Sequence, residues 1–153
     1  MDTLHFDKED NTIHPILTDG TRLTGLIMEK SGYYGKQGEA LPSERANLLW
    51  MWSYAKGYRL SRNIQLWEIA RSVGNNWELG DIGEAPGEEP RLNEWSACSD
   101  PIGIYALIEL YRAIGKKAYL NLAQRIADNI IAFKFHKGFF LPIKPFPFEA
   151  VFF

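Results

Sequence analysis

The fold is decided by residues 100–140, DPIGIYALIELYRAIGKKAYLNLAQRIADNIIAFKFHKGFF, which read as a helix, a tight turn, a second helix and a short strand. Ile104, Leu107, Ile108 and Tyr111 fall at i, i+3, i+4 and i+7. After Gly115 the same spacing resumes with Tyr119, Leu122, Ala123, Ile126, Ile130 and Phe133. Apolar residues so spaced line one side of a 3.6-residue helix, so each helix carries a stripe that must be buried. Asp100 followed by Pro101 suits an N-cap and a first helical position, because the carboxylate can accept from a free N–H and proline has none to lose.

A similar pattern has already run once, from residue 42 to residue 73. Leu66, Ile69, Ala70 and Val73 repeat the spacing, while Leu48-Leu49-Trp50-Met51-Trp52 is apolar on every side and is expected to be the more deeply buried run. Aligning the pairs sets residues 66–71 against 119–124 and Tyr54 against Tyr111. The spacing predicts helices over 46–58, 62–73, 101–114 and 117–133, with Ser43 as N-cap of the first. Recurring helix pairs imply layers of paired helices rather than one compact bundle. The expected class is all-α dominated, with small β elements near both ends: a strand and turn within residues 4–26, and a strand near Gly138-Phe139-Phe140.

Composition narrows the function. With 46% hydrophobic and 14% aromatic residues, a chain of 153 has enough apolar material for one domain of ordinary size. No apolar run approaches the roughly 20 residues that cross a bilayer, and the start lacks the basic-then-apolar order of a signal peptide, so a membrane partner is not expected and the chain as it stands reads as cytoplasmic. A net charge of −2 without clustered Lys or Arg leaves no electrostatic footprint for nucleic acid. Cys98, the single cysteine, cannot form an internal disulfide and is read as a free, partly buried thiol.

Two segments stand out as loops. Ser31-Gly32-Tyr33-Tyr34-Gly35-Lys36-Gln37-Gly38 has three glycines in eight residues, which argues against helix and allows tight turns that present Tyr33, Tyr34 and Lys36 outward. Residues 80–90, GDIGEAPGEEP, are too rich in Gly, Pro and acid for anything but loop, and so long a connection is often functional. The chain then ends in a Pro- and Phe-rich run, residues 141–153, with no helical or strand period, which reads as an atypical, truncated or frameshifted tail.

Taken in order, Asp10-Asn11-Thr12-Ile13-His14-Pro15, Gly32-Tyr33-Tyr34-Gly35-Lys36, residues 66–71, residues 79–87, Ser99-Asp100-Pro101, and residues 127–131 through Gly138-Phe139-Phe140 resemble the C-terminal part of the pectate lyases of polysaccharide lyase family 2. The resemblance implies that residues 1–140 are a partial segment of an (α/α) barrel of helix pairs. It also implies that the intact enzyme cleaves polygalacturonate by β-elimination with a divalent metal, commonly Mn or Ca, and leaves a periplasmic parent open. The family's metal-binding His and Glu residues and its catalytic Arg belong upstream of the matched motifs. None is carried onto this chain, which is expected to be an inactive fragment without a metal or cofactor of its own.

The residues themselves were weighed for that chemistry. β-Elimination from a uronate needs a base for the C5 proton and a cation for the charge building on the adjacent carboxylate. His5, His14 and His136 are scattered, with no i, i+4 ligand pair, and are expected to be surface or satisfied histidines. Arg71, Arg112 and Arg125 lie beside apolar stripes and are expected to be solvated or helix-pairing charges. Binding is the stronger prospect, since a polyanionic sugar chain needs cations for its carboxylates and flat apolar faces for its rings, and Tyr33, Tyr34 and Lys36 supply both. Trp50 and Trp52 are read as core, and Trp77 and Trp95 as loop residues that could offer sugar platforms. The acidic Glu84, Glu88 and Glu89 should face away from a polygalacturonate path. Rival readings are a stand-alone helical-repeat interaction module and a small glycan-binding domain using the tyrosine loop. Two helix pairs alone should leave apolar faces in water, exposing some of Leu107, Tyr111, Ile130 and residues 146–153.

Overall fold

A computed structural model describes residues 5–140, so the expectations for residues 141–153 lie outside the described residues. Four helices dominate that region: α1 (Leu48–Ser61), α2 (Ile64–Asn76), α3 (Pro101–Ile114) and α4 (Lys117–Lys134). Asp100 caps α3 as expected, its side chain accepting from the Ile102 N–H at 2.9 Å, and Gly115 ends the helix in the left-handed region at φ 82°. Ser43 does not cap α1. Glu44–Arg45 continue as extended chain, and the cap is Asn47, which accepts from the Leu49 N–H at 3.0 Å.

α1 packs on both α2 and α3, and α3 packs on α4, so the two hairpins are joined through their first helices. The shared core contains Leu48, Met51, Ala55, Trp67, Ile69, Val73, Leu107, Leu110, Tyr119, Leu122 and Ile126. Gly103 marks the tightest point of this junction. A Cβ there would stand 3.1 Å from Ile126 Cδ1 and 3.3 Å from Leu48 Cδ1, so the missing side chain lets α1 and α4 close on α3. The 48–52 run is not buried all round. Leu48 and Met51 are fully covered, but Leu49 is half exposed and Trp50 and Trp52 are only partly buried, because α1 has helical neighbours on two sides and not on the others. Of the three helical residues expected to include exposed ones, Leu107 is fully buried because the α1 and α4 stripes close over α3, and Tyr111 and Ile130 are half-buried against the same core.

Among the described residues three small antiparallel sheets frame the helices. β1 (Phe6–Asp7), β2 (Thr12–Ile13) and β3 (Glu44–Arg45) lie in that order, with Phe6 opposite Ile13 and Thr12 opposite Arg45. Buried Phe6 and Ile13 join the core, so this sheet is anchored to the helices. The acidic segment is not wholly loop, since β4 (Gly80–Asp81) pairs with β5 (Arg91–Leu92) and closes its base. β6 (Phe135–His136) and β7 (Phe139–Phe140) form a final hairpin after α4.

The 80–92 segment is fastened to the second helix of each hairpin by buried aromatic groups. Trp67 on α2 donates through Nε1 to the Gly83 carbonyl at 2.9 Å, and the Tyr119 hydroxyl on α4 donates to the Ile82 carbonyl at 2.8 Å. Each ring is buried in the core while its polar end satisfies an irregular backbone carbonyl, a use for which Trp and Tyr are suited. Arg71 on α2 adds a two-pronged ion pair to Asp81, at 2.7 and 2.8 Å.

Candidate functional site

Residues 26–41 form a long irregular hairpin held by the pairings Ile27 with Ala40 and Gly32 with Gly35. Its tip carries Tyr33 and Tyr34, 96% and 64% exposed, with ring centroids 5.2 Å apart at 88°. Lys36 is exposed too, and its backbone N–H donates to Glu39 Oε2 at 2.8 Å, which fixes the turn while leaving the ammonium group in solvent. An edge-to-face pair of tyrosines held in water by a glycine-rich turn hides little apolar area, so packing alone does not explain it.

Tyr34 also borders a cleft of about 630 Å³ with His5, His14, Leu23, Leu41, Glu44 and Trp50. Two of its lining residues, Trp50 and His5, are joined through Tyr54 behind the wall: Trp50 stacks on Tyr54 at 6.2 Å between centroids, and Tyr54 in turn on His5 at 5.9 Å, with a hydrogen bond between His5 Nε2 and the Tyr54 hydroxyl. Sequence reasoning placed Trp50 in the core and read His5 as a surface or satisfied histidine, and the Tyr54 hydroxyl satisfies it. The i, i+4 spacing of Trp50 and Tyr54 was the available signal that the two rings share one side of α1. Trp95 is 85% exposed on the 93–98 turn, whereas Trp77 is tied down by Nε1 donation to the Ala46 carbonyl at 2.9 Å.

The remaining polar residues are mostly structural. Arg112 pairs with Glu109 at 3.2 Å, and Arg71 with Asp81, which leaves neither as an unengaged base. The Arg71 guanidinium, helped by the Gly83 N–H and Arg91 and opposed by burial, holds the Asp81 carboxyl well below the usual carboxylate range. Burial pushes the Cys98 thiol up, so it is a poor nucleophile, as its isolation from histidine in the sequence suggested. Glu84, Glu88 and Glu89 are exposed on the 80–92 segment, Glu89 meeting Lys116 at 2.5 Å.

One cluster has no helical i, i+4 ligand pair to mark it along the chain. Asp7, Asp10 and His14 each bring one potential ligand atom to within 4.8 Å of the others. The hairpin register explains it: Asp7 lies opposite Thr12 in the β1–β2 ladder, and Thr12 and His14, two apart, share one side of the extended chain. The spacing D-x2-D-x3-H carried that signal only once the turn between the strands was known.

These features define a helix-hairpin protein with an aromatic-walled cleft beside a small sheet. Among the described residues no helix is long and apolar enough to cross a membrane. Over residues 2–148 the sequence matches the family described as periplasmic pectate lyase, and the chain belongs to that family. The match covers all the motifs that carried the resemblance and continues past Phe140 into the terminal segment. The periplasmic description lends no support to the cytoplasmic expectation.

Proposed function

We propose that this chain contributes substrate-binding surface to a pectate-lyase-type polysaccharide lyase, with polygalacturonate as the polyanion and the periplasm as its compartment. The family match over residues 2–148 is the observation that carries this reading. The two hairpins, joined through α1 and α3, would be neighbouring units of an (α/α) barrel.

The division of labour follows from the chemistry. A uronate chain offers alternating apolar ring faces and carboxylates. Tyr33 and Tyr34 supply flat faces at the hairpin tip, Trp50 continues them into the cleft, and Lys36 supplies a cation for a sugar carboxylate. Removal of the C5 proton needs a base, and the developing carboxylate charge needs a cation such as the divalent metal that the resemblance implies for the whole enzyme. By that resemblance the base and the family's metal ligands lie upstream of the motifs present here. The chain therefore binds and orients, and does not itself complete the elimination.

Calorimetric titration with oligogalacturonates tests the binding half. Tyr34→Ala and Lys36→Ala are each expected to weaken association roughly three- to tenfold, the range for loss of one stacking or charge contact. Equal binding by the parent chain and both variants would remove the tyrosine hairpin from the site. The catalytic half is read from absorbance of unsaturated product on polygalacturonate with Mn or Ca added. No product is expected, and metal-dependent product from the pure chain would overturn the binding-only role.

A further inference from the structure

We propose that Asp7, Asp10 and His14 form a site for a divalent transition ion of the Zn2+ class, built by the β1–β2 hairpin. Their ligand atoms lie within 4.8 Å of one another, two carboxylate oxygens and one imidazole nitrogen. Around a tetrahedral ion with bonds of about 2.0 Å such atoms stand about 3.3 Å apart, so a small inward turn of the two aspartates completes the geometry and leaves a fourth position for water.

Three further observations point to a cation. No Lys or Arg pairs with Asp7 or Asp10 among the described residues, Lys8 between them being engaged with Glu68 at 2.5 Å. Each carboxylate has only one oxygen in use: Asp7 Oδ1 accepts from the Glu9 N–H at 2.9 Å, and Asp10 Oδ1 accepts from the Thr12 N–H at 3.0 Å and from the Thr12 hydroxyl. The other oxygen of each has no protein donor among the described residues, and in the same turn the buried Asn11 Oδ1 has no hydrogen-bond partner. His14 is 91% covered, with relative exposure of 9%, and its ring is oriented from behind by a 2.9 Å hydrogen bond between Nδ1 and Thr24 Oγ1. In the ion-free chain the one Thr12 hydroxyl hydrogen goes to Asp10, so Nε2, 3.1 Å from Thr12 Oγ1, is the donor there. Ion binding would turn that hydroxyl away and move the ring proton to Nδ1, where it would be donated to Thr24, leaving Nε2 as the ligating nitrogen, the arrangement that ligating histidines use. Two carboxylates with one imidazole favour Zn2+ or Mn2+ over the all-oxygen preference of Ca2+.

Zn2+ titrated into the full 153-residue chain should bind with one-to-one stoichiometry and raise the unfolding midpoint, since the ion would close the hairpin only in the folded state. Asp7→Asn and Asp10→Asn should each weaken binding at least about tenfold, and Thr24→Val about tenfold through loss of ring orientation, while Cys98→Ser leaves it unchanged. Asp7 ends β1 and Asp10 lies in the exposed turn that follows it, and neither is buried, so these variants report even where a His14 replacement fails to fold. Ca2+ should bind more weakly than Zn2+. Absence of saturable Zn2+ binding, binding undiminished in Asp10→Asn, or binding lost in Cys98→Ser would each overturn the site. None of these readouts involves a saccharide, so they stand or fall separately from the polygalacturonate reading.

Discussion

Asn129 does more for this fold than its single polar side chain suggests. Buried on α4, it donates both amide hydrogens across to the chain that leads into α3, to the Ser96 and Cys98 carbonyls at 2.8 Å each. Asn129→Asp replaces two donors by acceptors that face carbonyl oxygens, and a buried charge without a partner is costly. The expected loss is about 3 kcal/mol or more in denaturant unfolding, and a loss under about 1 kcal/mol would show that the joint is not held there. Asp81 makes a prediction in pH. Its carboxyl titrates lower in the folded chain than the ordinary value of about 3.9 in the unfolded one, so its contribution is complete above that value and is lost as pH falls through the lower, folded value. Melting curves of the parent and Asp81→Asn should differ by roughly 4–8 °C near neutral pH and converge in strong acid; a gap that does not narrow would refute the assignment. Gly80 is constrained from both directions, having φ 83° and leaving no room for a Cβ, which would lie 2.5 Å from the Asn93 nitrogen and 2.6 Å from the Arg91 carbonyl oxygen. These joints fall within the motifs that identify the family, so those motifs record how irregular segments are fastened to helices.

At the scale of elements, α1 and α3 are held by more than apolar stripes. Arg59, in the last turn of α1, donates Nε to Glu109 on α3 at 2.5 Å, and Arg112 meets the other carboxylate oxygen at 3.2 Å. The Glu109 side chain is only 8% exposed, so removing its cation leaves a largely buried charge. Arg59→Ala should therefore destabilise by about 2–3 kcal/mol, whereas Arg112→Ala, with its side chain 60% exposed, should cost under about 1 kcal/mol. Equal losses from the two would show that burial does not set the strength of this pair. The elements were legible to different degrees. Residues 101–114 were predicted to the residue, because Asp100, Pro101 and Gly115 punctuate the chain locally. The start of α1 was misplaced by two residues, 46 against Leu48, since Ser43 competes with Asn47 as a cap by sequence alone and only the pairing of Glu44–Arg45 with β2 decides between them.

At the scale of the whole molecule, the α4 end and the last hairpin concentrate apolar surface. Ile131, Phe133, Phe135, Phe139 and Phe140 are each between 43% and 73% exposed. Contiguous apolar patches of more than a few hundred Å² are uncommon on monomers in water. The isolated chain is expected to bind a hydrophobic dye and to self-associate with rising concentration, and Phe139→Ser with Ile131→Ser should reduce both. A sedimentation profile that stays monomeric, with no dye signal, would mean that this surface is covered in solution.

Sequence alone determined the helix pairs, the turn between them and the family, because apolar period, capping residues and glycine act over a few neighbouring residues and leave a readable pattern. It also singled out Tyr33, Tyr34 and Lys36, because so glycine-rich a turn cannot bury two large rings. Tertiary structure decided the rest. Trp50 packs against the core and also walls a cleft, since which sides of α1 are covered depends on where α2 and α3 pack. Which of Leu107, Tyr111 and Ile130 is fully covered was decided in the same way, and it is Leu107. Asp7, Asp10 and His14 became one cluster because antiparallel register, set by the burial of Phe6 and Ile13, brings two strands together across a turn, and distance in space is a quantity that spacing along a chain does not contain.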